Sequence, residues 1–241
     1  MSIWQRIAEL LRALAQGTSE FAGSLLSALD PERWLPGGRD AAFTMALIAL
    51  LAKMAVADGV VSAREVTAFR NTVDVPPEAQ RDVERLFALA QQDVAGYDSY
   101  ARRIARLFED SPATLEHVLD GLFYIATADG YVHEDEYEYL RSVSDIFGFD
   151  AVKFEQIAAQ HIVLPHEGPD PYAVLGLAPD ASDEEVRRTY RQLVAEHHPD
   201  RMAAKGVPPE LMSLASRKMA TINAAYDQVS RARGHKPALA D

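Results

Sequence analysis

The chain has 241 residues, 48% of them hydrophobic, and a formal net charge of -12, a length that can bury one large core or two modest ones. It contains no cysteine, which excludes a disulfide framework and any thiolate metal cluster. An acidic chain is a poor nucleic-acid binder, and the acidity is uneven: residues 169–234 carry nine acidic and nine basic side chains, so the excess lies in residues 1–168.

In chain order, Ile3, Ile7, Leu10, Leu11 and Leu14 form an amphipathic stripe with Trp4 beside it. Residues 1–38 read as leading amphipathic helices and a linker, broken at Pro31, Pro36, Gly37 and Gly38. Arg6 and Arg12 are offset by Glu9 and Glu20, so the stripe is expected to pack on the protein's own core, with peripheral membrane contact through this helix as the other reading. The basic start, apolar centre and cleavage site of a signal peptide are absent from this segment. The apolar run from Ala41 to Ala57 covers 17 residues and is interrupted by Lys53, whereas a membrane span needs about 20, so it predicts a buried helix. Helical periods then continue to Gln160, with breaks near Asp58, Pro76, Tyr97, Ser111, Asp129 and Gly148. No alternating strand pattern of useful length occurs, and the predicted fold is all-α, with a helical body over residues 39–163.

That body contains a repeat. Ala57-Asp58-Gly59-Val60-Val61 with Glu65 returns as Ala128-Asp129-Gly130-Tyr131-Val132 with Glu136, 71 residues downstream. Each copy ends an apolar helix, turns at Asp-Gly and starts another helix. Two readings stand. In one, the glycines are left-handed C-caps and Ser62 with Glu65 forms a capping box; His133 holds the serine's place in the second copy, so capping is not expected to serve both copies equally. In the other, Asp58, Glu65, Asp129 and Glu136 converge on a hard divalent cation, calcium or magnesium; no other cofactor is called for. Tyr131, Tyr137 and Tyr139, amid Glu134, Asp135, Glu136 and Glu138, are expected to divide between the core and a solvated acidic face.

Residues 164–169 are rich in helix breakers and read as a linker into a second unit over 170–234, with 235–241 as a tail. Ser182 and Glu185 have capping-box spacing. From there Val186, Tyr190, Leu193 and Val194 share an apolar face, while Arg187, Arg188 and Arg191 make a cationic stripe on another. Pro199 is expected to stop this helix by restricting His198 and removing a donor. A second period through Leu211, Ala215, Met219, Ile222, Tyr226 and Val229 supplies a returning helix. The two faces should close as an antiparallel hairpin that leaves His198, Pro199 and Asp200 at an exposed tip. Adjacent His197 and His198 with Asp200 raise a metal or general-base reading, but no third ligand, nucleophile or phosphate loop stands near, and no enzymatic activity is expected.

The residues Asp-Pro-Tyr172-Ala-Val-Leu175-Gly-Leu, the Ser182 to Leu193 helix, His-His-Pro-Asp-Arg and Ile222-Asn-Ala-Ala-Tyr226 together resemble a J domain. The resemblance implies a module that recruits a DnaK-type chaperone: His198, Pro199 and Asp200, with Arg187 and Arg191, would engage that partner where its ATPase domain meets the interdomain linker, promoting ATP hydrolysis and capture of client protein. Gln192 and Glu196 stand where many J domains carry Lys or Arg, and Met219 and Ala220 where a Phe-Lys pair is common; the first departure thins the cationic patch. The repeat resembles the TerB-like domain, for which metal binding through such acidic residues has been suggested, and a TerB-like body followed by a terminal J domain resembles the DjlA group of DnaJ-like co-chaperones. The long segment from His198 to Met212 fits that comparison. Such proteins begin with a membrane anchor, where this sequence has the amphipathic segment. The expectation is a cytoplasmic co-chaperone, placed at the inner face of the membrane if the N-terminal helix touches it. The competing expectation is a cation-sensing or stress-signalling scaffold in which the body is the active part.

Overall fold

The computed structural model describes residues 3–15, 38–57, 63–72, 75–92, 96–161, 170–205, 207 and 212–234. These residues form helices and turns with no strand among them. The centre of the body is α2, Gly38–Ala57. Residues 43–52 of this helix are all buried, as expected of a helix apolar on every side, and Lys53 is half-buried. The leading helix α1, Ile3–Ala15, lies on it and buries Trp4, Ile7 and Leu11 in the same core. Ile7 and Leu11 of the stripe, with Trp4 beside them, are therefore packed on the body; of the predicted segment 1–38, residues 16–37 lie outside the described residues.

After α2 come α3, Ala63–Thr72, a 3-10 turn at Pro77–Ala79, α4, Gln80–Gln92, and α5, Tyr97–Leu107. Helices α4 and α5 flank α2, with Phe43 edge-on to Phe108 at 4.6 Å between ring centroids. Next are α6, Pro112–Ala126, α7, Glu134–Ile146, and α8, Ala151–Ala158. The Tyr139 hydroxyl on α7 donates to the Leu50 carbonyl at 2.7 Å, which satisfies a buried polar group against the central helix. The repeat is visible as two helix pairs, α2 with α3 and α6 with α7. They meet where α3 packs on α6 and Arg64 Nη1 donates to the Asp129 carbonyl at 3.4 Å.

The terminal unit consists of α9, Pro171–Leu175, α10, Asp183–His197, α11, Pro199–Ala204, and α12, Met212–Ala232. Its own core is Val174, Leu175, Val186, Ile222, Ala225 and Val229. Tyr190 stacks on Tyr226 at 3.9 Å, and Arg233 fastens the base by donating to Asp183 at 2.9 Å and to the Tyr172 hydroxyl at 3.0 Å. The capping box is formed: the Glu185 N–H donates to Ser182 Oγ at 3.3 Å, and the Ser182 N–H donates to Glu185 Oε2 at 2.7 Å. The hairpin is less self-contained than its periodicity predicts. Leu214 and Ala215 at the start of α12, together with Met202 and Val207, belong to the core of the body. Only the later turns of α12 close on α10.

Candidate functional site

The tip is built by proline used twice. Pro199 ends α10, holding His198 extended at φ -62 and ψ 132, and then occupies the first turn of α11, where its missing N–H has no intrahelical acceptor to lose. What the sequence predicts as a lengthened loop thus begins as a helical turn. His198 is both the last cap of one helix and the first cap of the next: its Nδ1 accepts the Asp200 N–H at 3.2 Å, leaving Nε2–H as a donor. Arg201 Nη1 donates to the Ala195 carbonyl at 2.8 Å, satisfying an orphan acceptor at the end of α10. The side chains of His198 and Asp200 are 48% and 93% exposed, so the tripeptide is available to a partner. Arg187, Arg188 and Arg191 are exposed along α10, and among the described residues Arg187 and Arg191 enter no ion pair. Glu196 is engaged by Gln192 Nε2 at 3.0 Å, so the two residues that thin the cationic stripe are paired with each other.

The adjacent histidines do not form a site. His198 faces solvent, whereas His197 is buried at 1% side-chain exposure, 3.8 Å from Glu116 Oε2 and 4.9 Å from the His117 ring. Beneath the tip lies a buried ionic seam between α6 of the body and the hairpin. Lys218 of α12 contacts Glu116 Oε1 at 2.9 Å and Asp120 Oδ2 at 3.0 Å and donates to Gln160 Oε1 at 2.7 Å. Three acceptors suit the three hydrogens of an ammonium group. Lys153 of α8 reaches Glu116 Oε2 at 2.7 Å, and His161 Nε2 donates to Asp120 Oδ1 at 2.9 Å. Two carboxylates therefore face two ammonium groups in a water-poor cleft.

The titration behaviour follows from that balance. Burial pushes the Glu116 carboxyl up, but Lys218 and Lys153 outweigh it and bring it to about 2. Burial likewise opposes ionisation of Asp120, and Lys218 with the His161 hydrogen bond overcomes it, holding the group well below the carboxylate range. Burial lowers Lys218, yet Asp120 and Glu116 raise it above its ordinary value. His197 goes the other way: burial dominates and lowers it to about 4. His117, whose Nδ1 lies against the Ala113 carbonyl, is also lowered by burial.

Apolar contacts continue the seam on both sides. Thr114 Oγ1 meets Met202 Sδ at 3.9 Å. Gly121 leaves room for Leu214, because a Cβ there would stand 2.9 Å from Leu214 Cδ2. Arg217 lies over the Tyr124 ring at 4.2 Å and donates to Thr72 Oγ1 at 3.3 Å. The sequence expectations do not include this seam, although α6 carries a readable signal for it. Twelve of its residues, Glu116, His117 and Asp120 among them, are buried; charged residues in a helix apolar all round require partners from elsewhere in the fold.

The acidic repeat residues fare differently. Asp58 and the Glu65 side chain lie outside the described residues. Glu136 is buried at 1%, and its Oε2 accepts the His133 N–H at 3.0 Å. In the second copy, where histidine replaces serine, the glutamate half of the box is therefore formed; the cap of the first copy lies outside the described residues. Gly130 sits at φ +112 in this turn, a conformation glycine adopts without strain. Asp129 Oδ1 is buried without a hydrogen-bond partner among the described residues. Among the described residues, no three His, Asp or Glu side chains are arranged to hold a metal ion, and no helix is long and apolar enough to cross a membrane.

Comparison with known proteins finds two family models along the chain, although Met202, Val207, Leu214 and Ala215 of the second pack into the core of the first. Residues 44–159 match the family model for tellurite resistance protein TerB, and residues 170–235 match that for the DnaJ domain. A co-chaperone protein DjlA of Photobacterium profundum is 30% identical over 222 residues, covering 82% of this chain and 80% of that protein. One of Coxiella burnetii is 31% identical over 198 residues, 75% of this chain and 73% of that protein. One of Shewanella oneidensis is 54% identical over 65 residues, 27% and 25% of the two chains. No solved structure matches.

Proposed function

We propose a function on this footing: the chain belongs to the DjlA family of co-chaperones, and its terminal DnaJ domain recruits a DnaK-type chaperone and accelerates that partner's ATP hydrolysis. His198, Pro199 and Asp200 make the decisive contact, Arg187 and Arg191 steer an acidic partner surface towards it, and captured client proteins are the beneficiaries. The observation that carries this reading is the tip itself: a tripeptide with His198 and Asp200 exposed, set between the buried His197 and Met202, and fixed by the Asp200 N–H donated to His198 Nδ1 and by the Arg201 to Ala195 hydrogen bond that ties the two flanking helices together. A fixed, exposed element can favour one arrangement of its partner over another, which is what coupling between the tip and a distant ATPase site requires.

The body's part in this proposal is placement of the domain and choice of partner. Membrane contact through the leading helix would require Trp4, Ile7 and Leu11 to leave the core that buries them. Single-turnover ATP hydrolysis by a DnaK-type chaperone tests the reading and separates it from a cation-sensing scaffold. The parent chain should accelerate hydrolysis, and His198→Gln should abolish the acceleration with no change in melting. Unaltered stimulation by the variant would overturn the assignment.

A further inference from the structure

We infer that Glu116 and Asp120, on a body helix remote in sequence from the tripeptide, are positioning residues for it: they clamp the chain on both sides of the tip. The inference rests on the co-chaperone reading for its functional consequence, but its structural content stands separately.

The tip is pinned at three points, all on α6. Immediately before the tripeptide, the buried His197 ring packs between the Glu116 carboxylate and the His117 ring. Two residues after it, Met202 is buried against Thr114. On the returning helix, Lys218 is enclosed by Glu116, Asp120 and Gln160. Glu116 is the shared node, because it also receives Lys153 from α8. A buried ammonium with three oriented acceptors specifies one register of the hairpin on the body, the role for which buried ionic groups are best suited. The seam covers neither the tripeptide nor Arg187 and Arg191, all of which remain exposed or half-exposed. It therefore holds the docking face open and in place rather than occluding it.

Without the clamp the tip should sample several positions relative to the body. A partner that requires one of them then sees an apparent affinity reduced by the fraction competent, with the fully bound complex unchanged. The experiment uses the full chain and the Glu116→Gln/Asp120→Asn variant, with His198→Gln as control. Hydrogen exchange of residues 197–205 should quicken in the double variant, while exchange in α2 stays as in the parent. In ATPase titrations with a DnaK-type chaperone, the half-maximal concentration should rise by roughly tenfold, as for a competent fraction of about one tenth, and the maximal stimulation should be retained. Parent-like exchange and an unchanged half-maximal concentration would overturn the inference. If the double variant does not melt cooperatively, Glu116→Asp, which keeps the charge and withdraws it by one methylene, should show quickened exchange at 197–205 alone; exchange identical to the parent would again overturn it. If the parent itself gives no stimulation, the co-chaperone reading fails, and hydrogen exchange still decides the positioning role.

Discussion

His197 and His198 are neighbours in sequence and opposite in circumstance, and they stand for the two regions they belong to. The seam around His197 is buried and charged, with Lys218 enclosed by carboxylates but both ring nitrogens of His197 without a hydrogen-bond partner among the described residues; the tip around His198 is exposed, and its own side chains are held by short-range hydrogen bonds. One region should govern stability and the other recognition. Variants that separate stability from stimulation are therefore the sharpest way to break the comparison.

The largest expected effect is at Lys218. Replacing it with Met removes the ammonium from between Glu116 and Asp120 and leaves those carboxylates buried beside Lys153, His161 and His197. Breaking a buried pair by removing one partner costs about 3–5 kcal/mol. Denaturant unfolding of Lys218→Met should show a loss of that order, against a change within about 0.5 kcal/mol for His198→Gln. Equal stability of the two variants would mean that the seam is no more structural than the tip.

Acid provides a second way to sharpen the contrast. His197 is lowered from its ordinary 6.5 to about 4, so it is neutral in the fold while the unfolded chain takes up a proton below about pH 6.5. Its contribution is complete above that pH and is lost as pH falls towards 4, at up to about 1.4 kcal/mol per pH unit. His117, lowered for the same reason, adds to the loss. Glu116, held at about 2, contributes fully above 4.5 and loses its contribution as pH falls further towards 2. The signs agree, so acid loosens the seam. Unfolding measured from pH 7 to 4.5 should show a shallower decline in His197→Phe than in the parent. Superimposable profiles for His197→Phe and the parent would mean that His197 does not titrate against the fold.

The legibility of these regions differs for a physical reason. The hairpin, the capping box at Ser182 and the exposed tip follow from local rules: helical period, cap chemistry and the restriction proline imposes on His198. The breaks of the body were equally readable, with α5 starting at Tyr97, α6 following Ser111 and α8 following Gly148. The seam obeys no local rule. Glu116 and Lys218 are more than a hundred residues apart; Ala215 lies within a period that also includes the hairpin's own core residues Ile222 and Val229, but that period places Met219 inside, whereas the structure buries Lys218 and leaves Met219 half-buried. Periodicity places these residues on a helix but does not say which neighbour receives them. A residue-level signal existed in the acidic and histidine side chains within the apolar α6, yet it indicates that partners are needed without indicating which ones.

The smallest effect is expected on the outer face of α10. Arg187 and Arg191 are exposed and without ion pairs among the described residues, and Arg191 Nε donates to the Arg187 carbonyl at 3.3 Å, so the pair shares one edge of the helix. Reversing either charge should leave melting unchanged, because solvated groups contribute little to stability. If these arginines steer an acidic partner, Arg187→Glu or Arg191→Glu should slow association with a DnaK-type chaperone at low salt, and the difference should shrink as ionic strength rises towards 0.1 M, where screening acts over about 10 Å. The effect should be modest. Gln192 and Glu196 dilute the stripe, and Asp183, Glu184 and Glu185 in the first turn place negative charge at the same helix, where it stabilises the N-terminus while opposing an acidic partner. A salt-independent loss of rate would point instead to a direct contact made by the arginine, and parent-like rates at low salt would return the stripe to an ordinary solvated face.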